Sequence, residues 1–248
     1  MSGASRKVGL VTGAGSGIGR ATALAFARTG TAVAVLDIDE SAAAETTDMI
    51  REGGGEALTV AVDIADERSV RAAVERTITA LGGLDVAVNN AGMASHHRRL
   101  DRMTLDEFER VVRVNLAGTF LCMKYELPLL KSGGAIVNIA SNGGLYAIAT
   151  APAYVAAKHG IVGLTKVAAV DYAPDNIRVN AVCPGPTRTP GFDEVAAGTD
   201  MITRQAASTP LGRLATADEV AAAAVWLCSD AASYITGIAL SIDGGRRA

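Results

Sequence analysis

The sequence predicts a doubly wound α/β fold, a single domain of about seven parallel strands flanked by helices, on three observations. Short apolar runs recur along the whole chain, at residues 8–12, 32–37, 57–63, 84–89, 135–141, 177–183 and 238–242. Most are continuously apolar instead of alternating, the pattern of strands buried on both faces. Longer Ala-rich segments with helical patterning fill the gaps, and repeated strand–helix alternation with right-handed crossovers builds such a sheet. The 248 residues suit one large α/β domain or two small ones. With no linker and no repeat of solenoid length, one domain is expected.

Taken in order, the first run leads through a glycine-rich stretch, 13–19, into a helix over 20–28 that Gly30 stops. Thr104-Leu105-Asp106-Glu107 and Thr216-Ala217-Asp218-Glu219 match the capping box at a helix start. The first of these helices should run to about Glu126, before Pro128; another should span from near Pro152 to near Tyr172, before Pro174. Residues 184–212 break the rhythm with Pro184, Pro186, Pro190, Pro210 and four glycines. That stretch is longer than an ordinary loop and is expected to be a lid insertion over the active site, with a short helix within 192–207. Aromatic residues make up only 4%, so Ala, Val, Leu and Ile must fill most of the core.

The net charge is −3 with no long run of either sign, which argues against nucleic acid as a partner. The local exception, His96-His97-Arg98-Arg99 with Arg102, reads first as a solvated loop and more sharply as a contact for an acidic substrate. Cys122, Cys183 and Cys228 are odd in number and far apart, which excludes a disulfide framework and a structural zinc site and fits a reducing compartment. Each is expected as a small core residue. His96-His97 lacks the spacing of a helical metal pair, so no metal is expected. The apolar stretch before the first glycines is too short for a signal peptide, and no segment approaches ~18 continuous apolar residues. A soluble, cytoplasmic protein with no membrane partner is expected.

The first strand runs into Thr12-Gly13-Ala14-Gly15-Ser16-Gly17-Ile18-Gly19, a T-G-x-x-x-G-x-G turn before a helix. Such a turn lets backbone N–H groups and a helix N-terminus face a pyrophosphate, and a Cβ would block the turn or the ligand. Asp37 ends the second run at the distance expected of a ribose-binding acid. It would accept hydrogen bonds from an adenosine ribose and repel a 2′-phosphate, and neither Ser16 nor Ile38 brings a positive charge to offset that. NAD is therefore the expected cofactor.

Three further motifs follow in order: Asn89-Asn90-Ala91-Gly92, then Ser141, then Tyr154-Val155-Ala156-Ala157-Lys158, with Ser141 thirteen residues before Tyr154. Together with the glycine turn they resemble the short-chain dehydrogenase/reductase superfamily, whose fold is of the Rossmann type, from Val8 to Asp243-Gly244-Gly245. The resemblance implies Tyr154 as acid–base, Lys158 as its partner, Ser141 as holder of the substrate oxygen, and Asn115 as the fourth catalytic residue, supporting a proton-relay water. It also implies Asp63 and Ile64 near the adenine, and Asn89, Ala91 and Gly92 as a wall of the cofactor site. Pro184, Gly185 and Thr187 would embrace the nicotinamide, and Thr189 would contact the pyrophosphate. With Gly13, Ser16, Gly17, Ile18, Gly19, Asp37 and Ile38, these complete the expected NAD site, to which Tyr154 and Lys158 also contribute. A homo-oligomer, a tetramer packed through the helices around Asn115 and Tyr154 and through the C-terminal strand, is implied as well.

Tyr and Lys at i and i+4 share one helix face, so both can reach one cleft. Oxidising an alcohol requires removal of its hydroxyl proton as hydride leaves the carbon. A free phenol, with a pKa of about 10, is a poor base near neutrality. A nearby ammonium and a positive nicotinamide would lower it, and ~3 units correspond to about 4 kcal/mol. Ser141 lacks the G-x-S-x-G elbow and a triad His, which excludes a hydrolase nucleophile. His159 is expected as an exposed helix residue.

The chain is thus expected to be one catalytic domain over 1–248, with a cofactor half of about 1–140 and a substrate half of about 141–248. The function expected is hydride transfer between NAD(H) and a small-molecule secondary alcohol or ketone, with a cyclic or polyol-like alcohol as the leading case. A 3-oxoacyl carrier-type reductase is the second reading; Arg98, Arg99 and Arg102 favour it slightly and the NAD preference opposes it. A catalytically silent NAD-binding regulatory protein is the third, opposed by the intact catalytic set.

Overall fold

The structure, a computed structural model, describes residues 6–94 and 97–247. The apolar runs form strands β1 (Val8–Thr12), β2 (Ala32–Asp37), β3 (Ala57–Ala61), β4 (Val86–Asn89), β5 (Ala135–Ile139) and β6 (Arg178–Pro184). A short pair, β7 (Thr187–Arg188) and β8 (Ala215–Thr216), precedes the last strand, β9 (Ala239–Ile242). The main sheet has seven strands in the order β3-β2-β1-β4-β5-β6-β9, and every pairing in it is parallel.

The lack of alternation in the strands has a direct cause. Leu10, Ala34, Ala87 and Ile136 join one core cluster, while Val11, Val33, Val35, Val86, Val88 and Val137 join another on the opposite face. Helices α1 (Gly17–Arg28), α2 (Glu40–Glu52) and α9 (Ala217–Cys228) cover the second face. The first is covered by α3 (Glu67–Leu81), by the segment α4 (Leu105–Val112) to α5 (Gly118–Glu126), and by α6 (Pro152–Asp171). Burying one Val or Leu side chain is worth about 1.5–3 kcal/mol, so both faces contribute to stability. Cys122 and Cys228 are buried in these two cores and Cys183 in a smaller third cluster, all as free thiols.

Both capping boxes form: Thr104 and Glu107 close the start of α4, and Thr216 and Glu219 that of α9. The helical segment beginning at Leu105 reaches Glu126 as expected, but through a π-helical turn over Arg113–Ala117 that centres on the buried Asn115. The strand expected over 57–63 ends at Ala61, where its neighbour β2 ends at Asp37. The run at 135–141 likewise stops at Ile139, so Asp63 and Ser141 stand just beyond the strand ends. Residues 184–212 hold β7 and two short helices, α7 (Pro190–Ala196) and α8 (Met201–Ala207), in place of the single short helix expected. Among the described residues no helix is long and apolar enough to cross a membrane.

Between β4, β5 and the covering helices lies a buried polar chain. Asn89 Nδ2 donates to Glu126 Oε2 at 2.9 Å and to Asn138 Oδ1 at 3.1 Å, and Asn138 Nδ2 donates to Thr165 Oγ1 at 2.9 Å. Glu126 is fully buried, and burial pushes its carboxyl up to about 7, with the Asn89 bond opposing. The folded protein therefore holds a proton that the unfolded chain has already released above its ordinary value of 4.5. Stability from this group is present at low pH and is lost as pH rises from about 4.5 to about 7. Replacing Glu126 by Gln keeps the acceptor and removes the titration. Urea unfolding at pH 5 and pH 8 should show the parent losing up to about 3 kcal/mol more than Glu126→Gln. Parallel losses in the two proteins would refute the buried titration.

Candidate active site

The chain leaves β3 and returns to the other side of β1 as β4, so the carboxyl ends of β1 and β4 flank a switch in strand order, where open α/β sheets place their ligands. A cleft of about 1290 Å³ opens there. This exceeds the ~300–1,000 Å³ of a drug-sized site and suits a dinucleotide together with a small substrate.

One end of the cleft is the glycine turn. Gly13 and Gly17 have φ of +62° and +53°, which L side chains rarely adopt. The first bond of α1 runs from the Arg20 N–H to Ser16 O. The N–H groups of Gly17, Ile18 and Gly19 are thereby left without intrahelical acceptors, and Ser16 makes no side-chain cap bond. This is a donor set for a phosphate oxygen. Gly13, Ser16, Gly17 and Ile18 line the cleft. Gly19, expected among the cofactor contacts, does not: it packs under the turn, where a Cβ would lie 2.0 Å from Gly13 O. Thr189 stands opposite, with Cγ2 3.2 Å from where a Gly17 Cβ would be.

Asp37 lines the cleft and accepts the Gly15 N–H at 2.8 Å and the Asp39 N–H at 3.1 Å. It does not cap α2, a role taken by Asp39. Ile38, Asp63 and Ile64 also line this end, with Asp63 Oδ1 accepting the Ala65 N–H. The nearby Arg20 is committed to Thr46, the Ala42 carbonyl and Glu45.

The Asn89-to-Gly92 segment divides differently from expectation. Ala91 and Gly92 line the cleft, but Asn89 turns its amide into the core toward Glu126 and Asn138. The neighbouring Asn90 faces the cleft instead and donates to Thr12 O and Gly13 O, both at 3.1 Å. Strand alternation sends adjacent residues to opposite sides, and that signal could have separated Asn90 from Asn89.

At the other end Ser141, Tyr154 and Lys158 come together on the cleft wall. Ser141 Oγ accepts the Gly143 N–H at 3.0 Å, which orients the hydroxyl. Lys158 is buried, and its Nζ donates to Ile139 O at 2.9 Å and lies 5.6 Å from the Tyr154 ring centroid. Burial lowers the Lys158 ammonium to about 8. Burial also raises the Tyr154 phenol above its ordinary value, with the Ser141 hydroxyl acting the other way. The expected lowering of the phenol is tied to a positive nicotinamide as well as to the lysine, and the protein's own groups leave the phenol raised. Desolvation outweighs the Ser141 hydrogen bond, and a positive charge beside the phenol would act in the opposite direction.

Asn115 also lines the cleft, at the π turn. Its Oδ1 accepts the Met93 N–H at 3.2 Å, and its Nδ2 donates to Met93 O and Val111 O at 3.0 and 3.1 Å. Both amide hydrogens are thus engaged, and the side chain pins the loop after Gly92, whose Cβ would lie 2.5 Å from Asn115 Oδ1. Pro184, Gly185 and Thr187 line the cleft beyond Ser141, with Thr187 Oγ1 donating to Gly185 O.

The basic loop takes its plainer reading. Arg98 pairs with Glu107 at 3.0 Å, and Arg99 and Arg102 both pair with Asp101, all outside the cleft. His97 lines the cleft and meets Thr150 Oγ1, whereas His96 lies outside the described residues. His159 is exposed, as expected. No cluster of metal-ligating side chains occurs among the described residues.

A family model described as enoyl-(acyl carrier protein) reductase matches residues 13–247. The chain is 44% identical over 249 residues to a 2,5-dichloro-2,5-cyclohexadiene-1,4-diol dehydrogenase of Sphingobium indicum, covering 99% of this chain and 98% of that protein. It is 42% identical over 243 residues to a cis-4-hydroxycyclohexanecarboxylate dehydrogenase of Sinomonas cyclohexanicum, covering 97% and 96%. Among solved structures, a 3-ketoacyl-(acyl-carrier-protein) reductase from Brucella melitensis complexed with NADH superposes with a TM-score of 0.90 at 38% identity, covering 98% of each chain.

The Gly19 packing gives a direct test. The obstructing atom is backbone oxygen, which cannot swing aside, so Gly19→Ala should cost at least 1–3 kcal/mol, the usual range for overpacking. Denaturant unfolding measures it; a change below 0.5 kcal/mol would mean that the turn can open without loss.

Proposed function

The chain belongs to the short-chain dehydrogenase/reductase superfamily, and we propose that it is an NAD-dependent dehydrogenase of a cyclic secondary alcohol with Tyr154 as acid–base. One observation carries the reading: Ser141, Tyr154 and Lys158 share a single cleft with the glycine turn and Asp37. The two curated relatives described above both act, by their names, on hydroxylated six-membered rings. Apolar Ile148, Phe192, Val195 and Met201 line the substrate end and suit such a ring.

Bound NAD would supply the hydride acceptor. Gly17 and Ile18 would present N–H groups to its pyrophosphate, and Asp37 would accept from the adenosine ribose. A 2′-phosphate would meet the Asp37 carboxylate with Arg20 already committed to Glu45, which favours NAD over NADP. Ser141 holds the substrate oxygen, and Tyr154 Oη takes the hydroxyl proton. Lys158, braced by Ile139 O, keeps a positive charge near the phenol. Asn115 acts by positioning Met93 and the π turn. Residues 1–140 carry most of the cofactor contacts and 141–248 most of the substrate pocket.

The 3-oxoacyl carrier reading loses the arginines that favoured it, since Arg98, Arg99 and Arg102 are paired outside the cleft. A silent regulatory role has no observation in its favour. A homo-oligomer, in keeping with a tetramer, is supported by apolar residues left exposed on the proposed packing elements: Phe120 on α5, Val167 and Val170 on α6, and Ile238 just before the C-terminal strand. Buried free thiols fit a reducing, cytoplasmic setting.

Tyr154→Phe keeps the ring and removes the proton carrier. Its kcat should fall by about 10²–10⁴-fold, with NADH affinity, read by fluorescence, within about threefold of the parent; near-parental turnover would overturn the mechanism. Asp37→Ala should raise the NADP⁺/NAD⁺ ratio of kcat/KM by at least about tenfold, one unit of 1.4 kcal/mol. An unchanged ratio would remove Asp37 from cofactor choice.

A further inference from the structure

The substrate end of the cleft holds two adjacent cations, Arg246 and Arg247, that the mechanism does not use. After β9 the chain turns at Gly244 and Gly245, with φ of +64° and +83°, and carries Arg246 and Arg247 into the cleft lining. The tail is tied down on two sides. The Leu211 N–H donates to Gly244 O at 3.2 Å, and the Tyr146 hydroxyl donates to Arg247 O at 3.2 Å. Tyr146 lies only five residues beyond Ser141, so the tail is braced against the segment that carries the substrate-holding serine.

Arg246 is half-buried, and its Nη1 donates to Gln205 Oε1 on α8. It has no carboxylate within salt-bridge distance among the described residues. That sets it apart from Arg98, Arg99, Arg102 and Arg204, which are all paired. The nearest acid in sequence, Asp243, accepts instead from Asn142 Nδ2 at 3.0 Å and from the Gly245 N–H at 3.1 Å. Burial and the neighbouring Arg247 both work against the Arg246 charge, and the Asp243 carboxylate acts in its favour without reaching it as a salt bridge. A guanidinium always keeps its proton, so Arg246 presents a full positive charge to the cleft. With Nη1 held by Gln205, the Nε and Nη2 donors have no protein acceptor among the described residues and are free for two-point recognition of a carboxylate.

We propose that Arg246, held by Gln205 at the substrate end of the cleft, binds an anionic group of the substrate, so that the preferred alcohol is a hydroxylated cyclic carboxylate. The assignment rests on the cyclic-alcohol reading above and decides between its two relatives, one named for a ring diol and the other for a ring carboxylate. The basic loop at 98–102 is thereby replaced as the anion contact.

The test is calorimetric and needs no turnover. Cyclohexanecarboxylate and its neutral isostere cyclohexanecarboxamide are titrated into the full-length enzyme saturated with NADH. The parent should bind the carboxylate at least tenfold more tightly than the amide. Arg246→Gln should abolish that preference, and Arg246→Lys should retain part of it. A parent without the preference, or an Arg246→Gln protein that keeps it, would overturn the proposal. So would an Arg246→Gln protein that loses NADH affinity as much as carboxylate affinity, since that would assign the cation to the pyrophosphate. Should the preference hold while no cyclic alcohol is oxidised, the anion site stands and the dehydrogenase reading falls.

Discussion

Four hydrogen bonds between the ends of β1 and β4 hold the site together. Thr12 Oγ1 accepts from the N–H groups of both Asn90 and Ala91, and Asn90 Nδ2 donates to Thr12 O and Gly13 O. These strands flank the switch point, where the sheet ladder alone would let the two exits splay apart. The bonds set the close approach in which a Gly13 Cβ would lie 2.9 Å from Ala91 Cα. From that clamp follow the direction of α1, the place of its free N–H groups and the Gly15–Asp37 contact at 2.8 Å. The glycines at 13 and 19 are thus needed by protein packing as much as by any ligand.

The proton chemistry rests on a different balance. Lys158 is removed from water with one carbonyl as its hydrogen-bond partner, Ile139 O, and desolvation of a lone ammonium is costly. The same burial raises the Tyr154 phenol. In the free protein both groups are therefore biased toward neutrality, the phenol protonated and the ammonium weakened. A positive charge entering the cleft beside the phenol would oppose that bias. This couples readiness of the base to occupancy of the cofactor end, and it makes the low dielectric around Tyr154 useful, because the same charge would act weakly through water.

The sheet was legible because both its faces are covered, and seven apolar runs therefore stood out without any periodicity argument. The glycine turn, Asp37 and the Ser141–Tyr154–Lys158 spacing were legible because each needs particular residue types at short sequence range. What escaped was decided by side-chain direction or by partners distant in sequence. Asn89 and Asn90 are identical in type and opposite in aim. Glu126 looks like any helix surface acid until α5 packs it against β4 and β5. Arg98 looked free until Glu107 met it, and Arg246 looked like a tail residue until α8 brought Gln205 to it. Asn115 sat in an apparently unbroken helix whose π turn has no signature in the pattern.

Those hidden contacts are distributed unevenly. The cofactor end is built from strand ends and a helix start, elements that the parallel sheet dictates. The substrate end is built from α7, α8, the turn after Ser141 and the C-terminal tail, none of which belongs to the main sheet. These parts touch one another through a few side-chain and backbone bonds, such as Leu211 to Gly244, Gln205 to Arg246 and Tyr146 to Arg247. A change in one of them leaves the core intact, so pocket charge and shape can vary while the sheet and the catalytic residues stay fixed. On the proposed reading, rings with and without a carboxylate would be accessible to one scaffold through differences in a few peripheral residues. The position of Arg246 is one place where such a difference would be set.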